Sequence, residues 1–91
     1  MNIERTALFQ QTAGCEVSHM PDGYVVYQSD REMVHYLNPA AAMVYELVGQ
    51  KQPLDGIADY MKASFALPAT PCNEVAACLE KLIAENLITP C

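Results

Sequence analysis

Hydrophobic and polar positions divide the chain into an alternating half and a helical half, with the change at Asn38. Through Gln10-Gln11-Thr12 no period is clear, and residues 1–14 read as a flexible N-terminal arm ahead of a domain over 15–91. From Cys15 short strands follow. Glu16-Val17-Ser18 leads to Met20-Pro21-Asp22-Gly23, where Pro-Asp-Gly is a turn signal because Pro presets φ and Gly accepts positive φ. Tyr24-Val25-Val26-Tyr27-Gln28 is aromatic and β-branched, as a half-buried strand requires. Ser29-Asp30-Arg31 predicts a second turn, and Glu32-Met33-Val34-His35-Tyr36-Leu37 a third strand. Its side chains alternate, with Met33, His35 and Leu37 on one face and Val34 and Tyr36 on the other. Connections this short join antiparallel neighbours.

After Asn38 the period becomes helical. Asn38 is a strong N-cap and Pro39 suits N1, where no amide is needed. Ala40, Met43, Val44, Leu47 and Val48 share one face, and Gly49 predicts the left-handed stop. A second helix is expected from Pro53 to about Phe65, with Leu54, Ile57, Ala58, Met61 and Phe65 as its stripe. Gly56 weakens its first turns. A third is expected after Thr70 as N-cap and Pro71 at N1, with Cys72, Val75, Leu79, Leu82 and Ile83 inward, ending near Asn86. Leu87 and Ile88 are expected to return to the core. The fold class is therefore α+β, a three-stranded antiparallel sheet followed by three helices in a winged helix-turn-helix-like layout.

Ninety-one residues support one modest core. Met1-Asn2-Ile3-Glu4-Arg5-Thr6 lacks the basic and apolar segments of a secretory signal, and no apolar run approaches the ~20 residues that span a bilayer, so a cytoplasmic location is expected. Four cysteines (Cys15, Cys72, Cys78, Cys91) form no C-x-x-C, and Cys15 with His19 lacks a second ligand pair, so free thiols packing as small hydrophobes are expected and no metal. No phosphate loop, dinucleotide fingerprint or nucleophile elbow occurs. A Cys78–His35 nucleophile–base pair would lack an orienting acid and an oxyanion site. No enzyme and no cofactor is expected.

The winged layout raises a small transcriptional regulator as an alternative. Its reading helix would be the third, which carries Glu74, Glu80 and Glu85 against Lys81, in a chain of net charge −6. That face repels phosphates, so no nucleic-acid partner is expected. A binding module remains. A free third-strand edge offers main-chain hydrogen bonds to an extended peptide, and the gap beside the third helix offers pockets for alternate side chains. The same residues equally suit plain packing, with Met33, Val34 and Tyr36 in the sheet and Cys78 and Leu82 in the core. An open edge also permits a homodimer.

Tyr36-Leu37-Asn38 entering Pro39-Ala40, then Val44-Tyr45-Glu46-Leu47-Val48-Gly49, resembles the signature of the PqqD family, also described as RiPP precursor recognition elements. Ile57, Phe65, Val75, Leu79, Leu82 and Asn86-Leu87-Ile88 match the spacing of the family's last two helices, and the resemblance runs over roughly residues 15–88. Relatives usually carry Trp near Tyr45, a Thr or Ser cap where Pro53 stands, and often Gly where Asn86 stands. The resemblance implies a non-catalytic peptide chaperone. It would bind the leader of a ribosomally made precursor peptide as an added strand and present it to a modifying enzyme, commonly a radical S-adenosylmethionine enzyme that holds the cofactors. It maps the groove to Met33, Val34, His35 and Tyr36 on the strand and to Cys78, Lys81, Leu82 and Glu85 on the helix. The strand would act through its backbone, Cys78 and Leu82 would wall the pocket, and Lys81 would meet an acidic leader side chain.

Overall fold

A computed structural model of the chain describes residues 6–29 and 31–90. Its elements run β1 (Phe9–Gln11), β2 (Cys15–Met20), β3 (Gly23–Gln28), β4 (Met33–Leu37), α1 (Pro39–Gly49), α2 (Leu54–Ser64), α3 (Cys72–Ala84) and β5 (Ile88–Pro90). Strands β2, β3 and β4 form the expected antiparallel meander, in that order. Pro21 and Asp22 close the first hairpin at the Met20–Gly23 pair, and β3 and β4 register from Tyr24–Leu37 to Gln28–Met33. Asp30, inside the second predicted turn, lies outside the described residues.

The expected arm is in part a strand. Phe9, Gln10 and Gln11 pair antiparallel with Pro90, Thr89 and Ile88, so β1 and β5 form a second, two-stranded sheet. Phe9, Leu87 and Ile88 are buried with it. Residues 1–5 of the expected arm lie outside the described residues.

Helix α1 is the central element and touches β1, β3, β4, α2 and α3. Asn38 caps it as its sequence requires, its side chain accepting from the Ala41 amide at 2.8 Å. Being surrounded, α1 buries more than one stripe: Ala42, Val44, Tyr45, Leu47 and Val48 are inside, whereas Ala40, expected inward, is exposed. Its end also differs from expectation. Gly49 is still helical and Lys51, with φ 63°, takes the left-handed conformation. Glycine at 49 leaves room for β1, because a Cβ there would lie 2.6 Å from Gln11 Nε2 and would displace that side chain, which donates to the Tyr45 carbonyl at 3.0 Å.

Helix α2 buries Leu54, Ile57, Ala58 and Met61, but Phe65, just beyond its end, is 44% exposed. Helix α3 buries Val75, Leu79 and Leu82 and leaves Cys72 and Ile83 half-buried. Thr70 does not cap it. Pro71 is the cap residue, no side chain bonds the first turn, and the Thr70 carbonyl accepts from Cys72 N at 2.9 Å. Asn86 (φ 59°) closes α3 in the left-handed conformation that Asn tolerates, with Leu87 N donating to Leu82 O at 2.9 Å.

Tyr45 yields a prediction. Burial, then the negative charges of Cys15 and Glu46, push its phenol up to about 12 from an ordinary 10. A raised folded-state value means the stabilisation is complete below pH 10 and disappears between there and about 12. Wild type is expected to lose about 2 kcal/mol over that alkaline interval in denaturant titrations. Tyr45→Phe is expected to flatten that step, and an unchanged step in the variant would remove Tyr45 as its source.

Candidate functional site

Strand β4 is terminal in its sheet, with β3 on one side and no strand on the other among the described residues. Its side chains divide as the alternation requires. His35 and Leu37 are buried, while Val34 and Tyr36 are 64% and 61% exposed. Met33, expected beside His35 and Leu37 on the inward face, stands at the strand end and is 40% exposed. On the outer face Val34 pairs across from Tyr27 and Tyr36 from Val25, an apolar patch beside the free edge. The Tyr36 hydroxyl donates to the Asp22 carbonyl at 2.7 Å and so holds its ring over the first hairpin turn.

Between β4 and α3 lies a cavity of about 160 Å³, lined by Tyr36, Leu37, Asn38, Ala41, Cys78, Lys81, Leu82 and Glu85. Helical spacing explains the α3 contribution, since positions three, four and seven residues beyond Cys78 share its face. Tyr36 and the four α3 candidates therefore meet at one concavity. Met33 and Val34 lie along the strand beside it, and His35 points inward behind it. Leu82 is 2% exposed and belongs to the core as much as to the cavity wall. Burial pushes the Cys78 thiol up, with the nearby Lys81 opposing. Leu37, Asn38 and Ala41 also line the cavity. Their hint in the sequence is the strand-to-cap junction, which forces the chain to turn at the mouth of the groove.

Behind the cavity sits a buried polar network. His35 Nδ1 lies 2.5 Å from Glu85 Oε2, and His35 Nε2 lies 2.7 Å from Gln28 Oε1. Gln28 Nε2 donates to the carbonyls of Asn86 at 2.9 Å and Glu85 at 3.4 Å. Arg31 Nη1 donates to the same Glu85 carbonyl at 3.3 Å. The network fastens β3 and β4 to the C-terminal end of α3. Gln28 is 3% exposed, and its role is invisible in a strand pattern that shows it only as a terminal polar residue.

Residues 23–88 match the family model described as coenzyme PQQ synthesis protein D. The chain belongs to the PqqD family. Its residues Tyr36 to Gly49, at the β4–α1 junction, fall inside that match. Among solved structures it is similar to a lasso peptide synthetase B1 complexed with the leader peptide, at 18% identity and a TM-score of 0.80, over 92% of this chain and all of that one. It is also similar to TbiB1 in complex with the TbiA(beta) leader peptide, at 15% identity and a TM-score of 0.77, over 87% of this chain and 93% of that one. No curated protein matches the chain. At these identities the likeness is one of fold, the α+β arrangement of a three-stranded antiparallel meander and three helices.

A larger cavity, about 490 Å³, opens on the far side of α1, lined among others by Tyr24, Met43, Glu46 and Tyr60. There the Tyr24 hydroxyl donates to Glu46 Oε1 at 3.0 Å, and His19 stacks on the Tyr24 ring at 4.5 Å between centroids. His19, weighed in the sequence beside Cys15 as a ligand pair, is thus engaged with Tyr24. No group of three or more metal-ligating side chains occurs among the described residues.

Proposed function

We propose that this chain binds the leader segment of a ribosomally synthesised precursor peptide and presents it to a modifying enzyme, without itself catalysing a reaction. The observation that carries this reading is the placement of a free β4 edge directly beside the cavity under α3. An extended peptide added at that edge gains main-chain hydrogen bonds, and its alternate side chains fall toward the cavity and toward the Val34–Tyr36 face. Membership of the PqqD family and the likeness to two domains solved with leader peptides support it. Met33, Val34 and Tyr36 flank the docking edge, and Cys78, Lys81 and Leu82 wall the pocket. The family supports a radical S-adenosylmethionine enzyme as the partner, which would hold the cofactors. No helix among the described residues is long and apolar enough to cross a membrane, in keeping with work in the cytoplasm.

Titration of the labelled protein with the leader peptide of a precursor encoded beside its gene tests the reading. Amide shifts are expected to concentrate on residues 32–37 and 74–86. Val34→Pro puts a ring and a missing amide in the strand and is expected to weaken binding about tenfold or more with the circular dichroism unchanged. Full affinity in a folded variant would show that β4 is not the docking edge.

A further inference from the structure

His35 and Glu85 are better suited to setting the groove than to touching the peptide, and the proton count explains how. The Gln28 amide can be oriented only one way, because its nitrogen faces two carbonyl oxygens, those of Asn86 and Glu85. Its oxygen therefore faces His35 Nε2. The other ring nitrogen faces a carboxylate oxygen. Both nitrogens thus meet acceptors, while a neutral imidazole has one N–H. One further proton is needed to satisfy the pair, and imidazole is ordinarily a stronger base than a carboxylate.

Resting on the proposed peptide-binding reading, we infer that His35 is a positioning residue: held as an imidazolium between Gln28 and Glu85, it cancels the Glu85 charge and leaves Lys81 to set the sign of the groove. Four features fit. The ring is only 7% exposed, so a charge there requires a close partner. It lies against the C-terminal end of α3, where the helix dipole favours a cation. Among the described residues, the charged groups bonded into this network are Glu85 on α3 and Arg31 on the β3–β4 turn, the latter donating to the Glu85 carbonyl. Lys81 and Glu85 are the charged residues lining the cavity, and of these Glu85 is the one engaged by His35. In a protein of net charge −6 the groove is thereby a locally positive place, suited to an acidic side chain on the bound strand.

Imidazole nitrogen NMR of the free protein tests the proton count without any peptide. Both His35 nitrogens are expected to give protonated signals, and a ring with one bare nitrogen would overturn the inference. The electrostatic role is read with a synthetic leader peptide carrying an acidic residue in its docking segment. His35→Gln removes the cation and exposes the Glu85 carboxylate, so affinity is expected to fall about tenfold. Adding Glu85→Gln removes the exposed charge, so the double variant is expected to recover most of that loss. A purely structural role predicts the opposite, a double variant as weak as the single one or weaker, and that result would overturn the inference. If wild type itself ignores the peptide while its ring shows both protons, the proton count stands, and the binding reading and the groove role fall together.

Discussion

Gly23→Ala is expected to destabilise the protein by about 4 kcal/mol, much of the 5–15 kcal/mol that a domain commonly holds. Two causes add. Gly23 sits at φ +136°, a conformation that L side chains rarely adopt. Its missing Cβ would lie 2.0 Å from the Leu37 carbonyl oxygen and 3.1 Å from the carbonyl carbons of Leu37 and Asn38. These are backbone atoms, so no rotamer change relieves the clash. They also form the junction at which β4 ends and the Asn38 cap starts α1, so any shift opens the groove as well as the hairpin. Urea denaturation of wild type and variant gives the difference. A loss below about 1 kcal/mol would mean that the junction yields easily.

Local chemistry made most of this fold legible in the sequence. Pro21-Asp22-Gly23 marked the first turn, aromatic and β-branched residues marked the strand over Tyr24 to Gln28, alternation accompanied the strand ending at Leu37, and Asn38-Pro39 marked the start of α1. The features that escaped are those decided by distant neighbours. Strands β1 and β5 have three residues each, too few to show a period, and each exists because the other is there. Gly49 has a glycine's reason in Gln11, which lies across from it on β1, and not in the helix end. Ala42 and Tyr45 are buried because α1 is covered on several sides, which no single-stripe reading anticipates. Thr70 failed as a cap because Pro71 took that place and its own carbonyl closed the turn.

The candidate site divides in the same way. The outward face of β4 follows from a period of two, and the shared face of Cys78, Lys81, Leu82 and Glu85 from helical spacing, whereas setting that strand beside that helix comes from the family resemblance and not from the periods. The link between His35 and Glu85 spans 50 residues and that between Gln28 and Asn86 spans 58. Spacing carries no information about such pairs. Only the folded chain shows that His35 and Glu85, both assigned to the groove by the resemblance, bond to each other, with Glu85 and Lys81 both lining the cavity.

Leu82→Ala is expected to cost about 3 kcal/mol and to weaken leader binding beyond what the lost stability accounts for. Leu82 is 2% exposed and has the core on one side and the 160 Å³ cavity on the other. Truncation therefore removes buried contacts and also widens the floor on which an added strand would rest. Leu79, one turn earlier in part and fully buried, supplies the control, because it does not line the cavity. Leu79→Ala is expected to give a similar fall in denaturation midpoint with peptide affinity retained under conditions where both variants are folded. Equal loss of affinity in the two variants would mean that binding follows core stability alone. A loss confined to Leu82→Ala would make this side chain part of the floor of the groove, a place where the hydrophobic core itself meets the peptide.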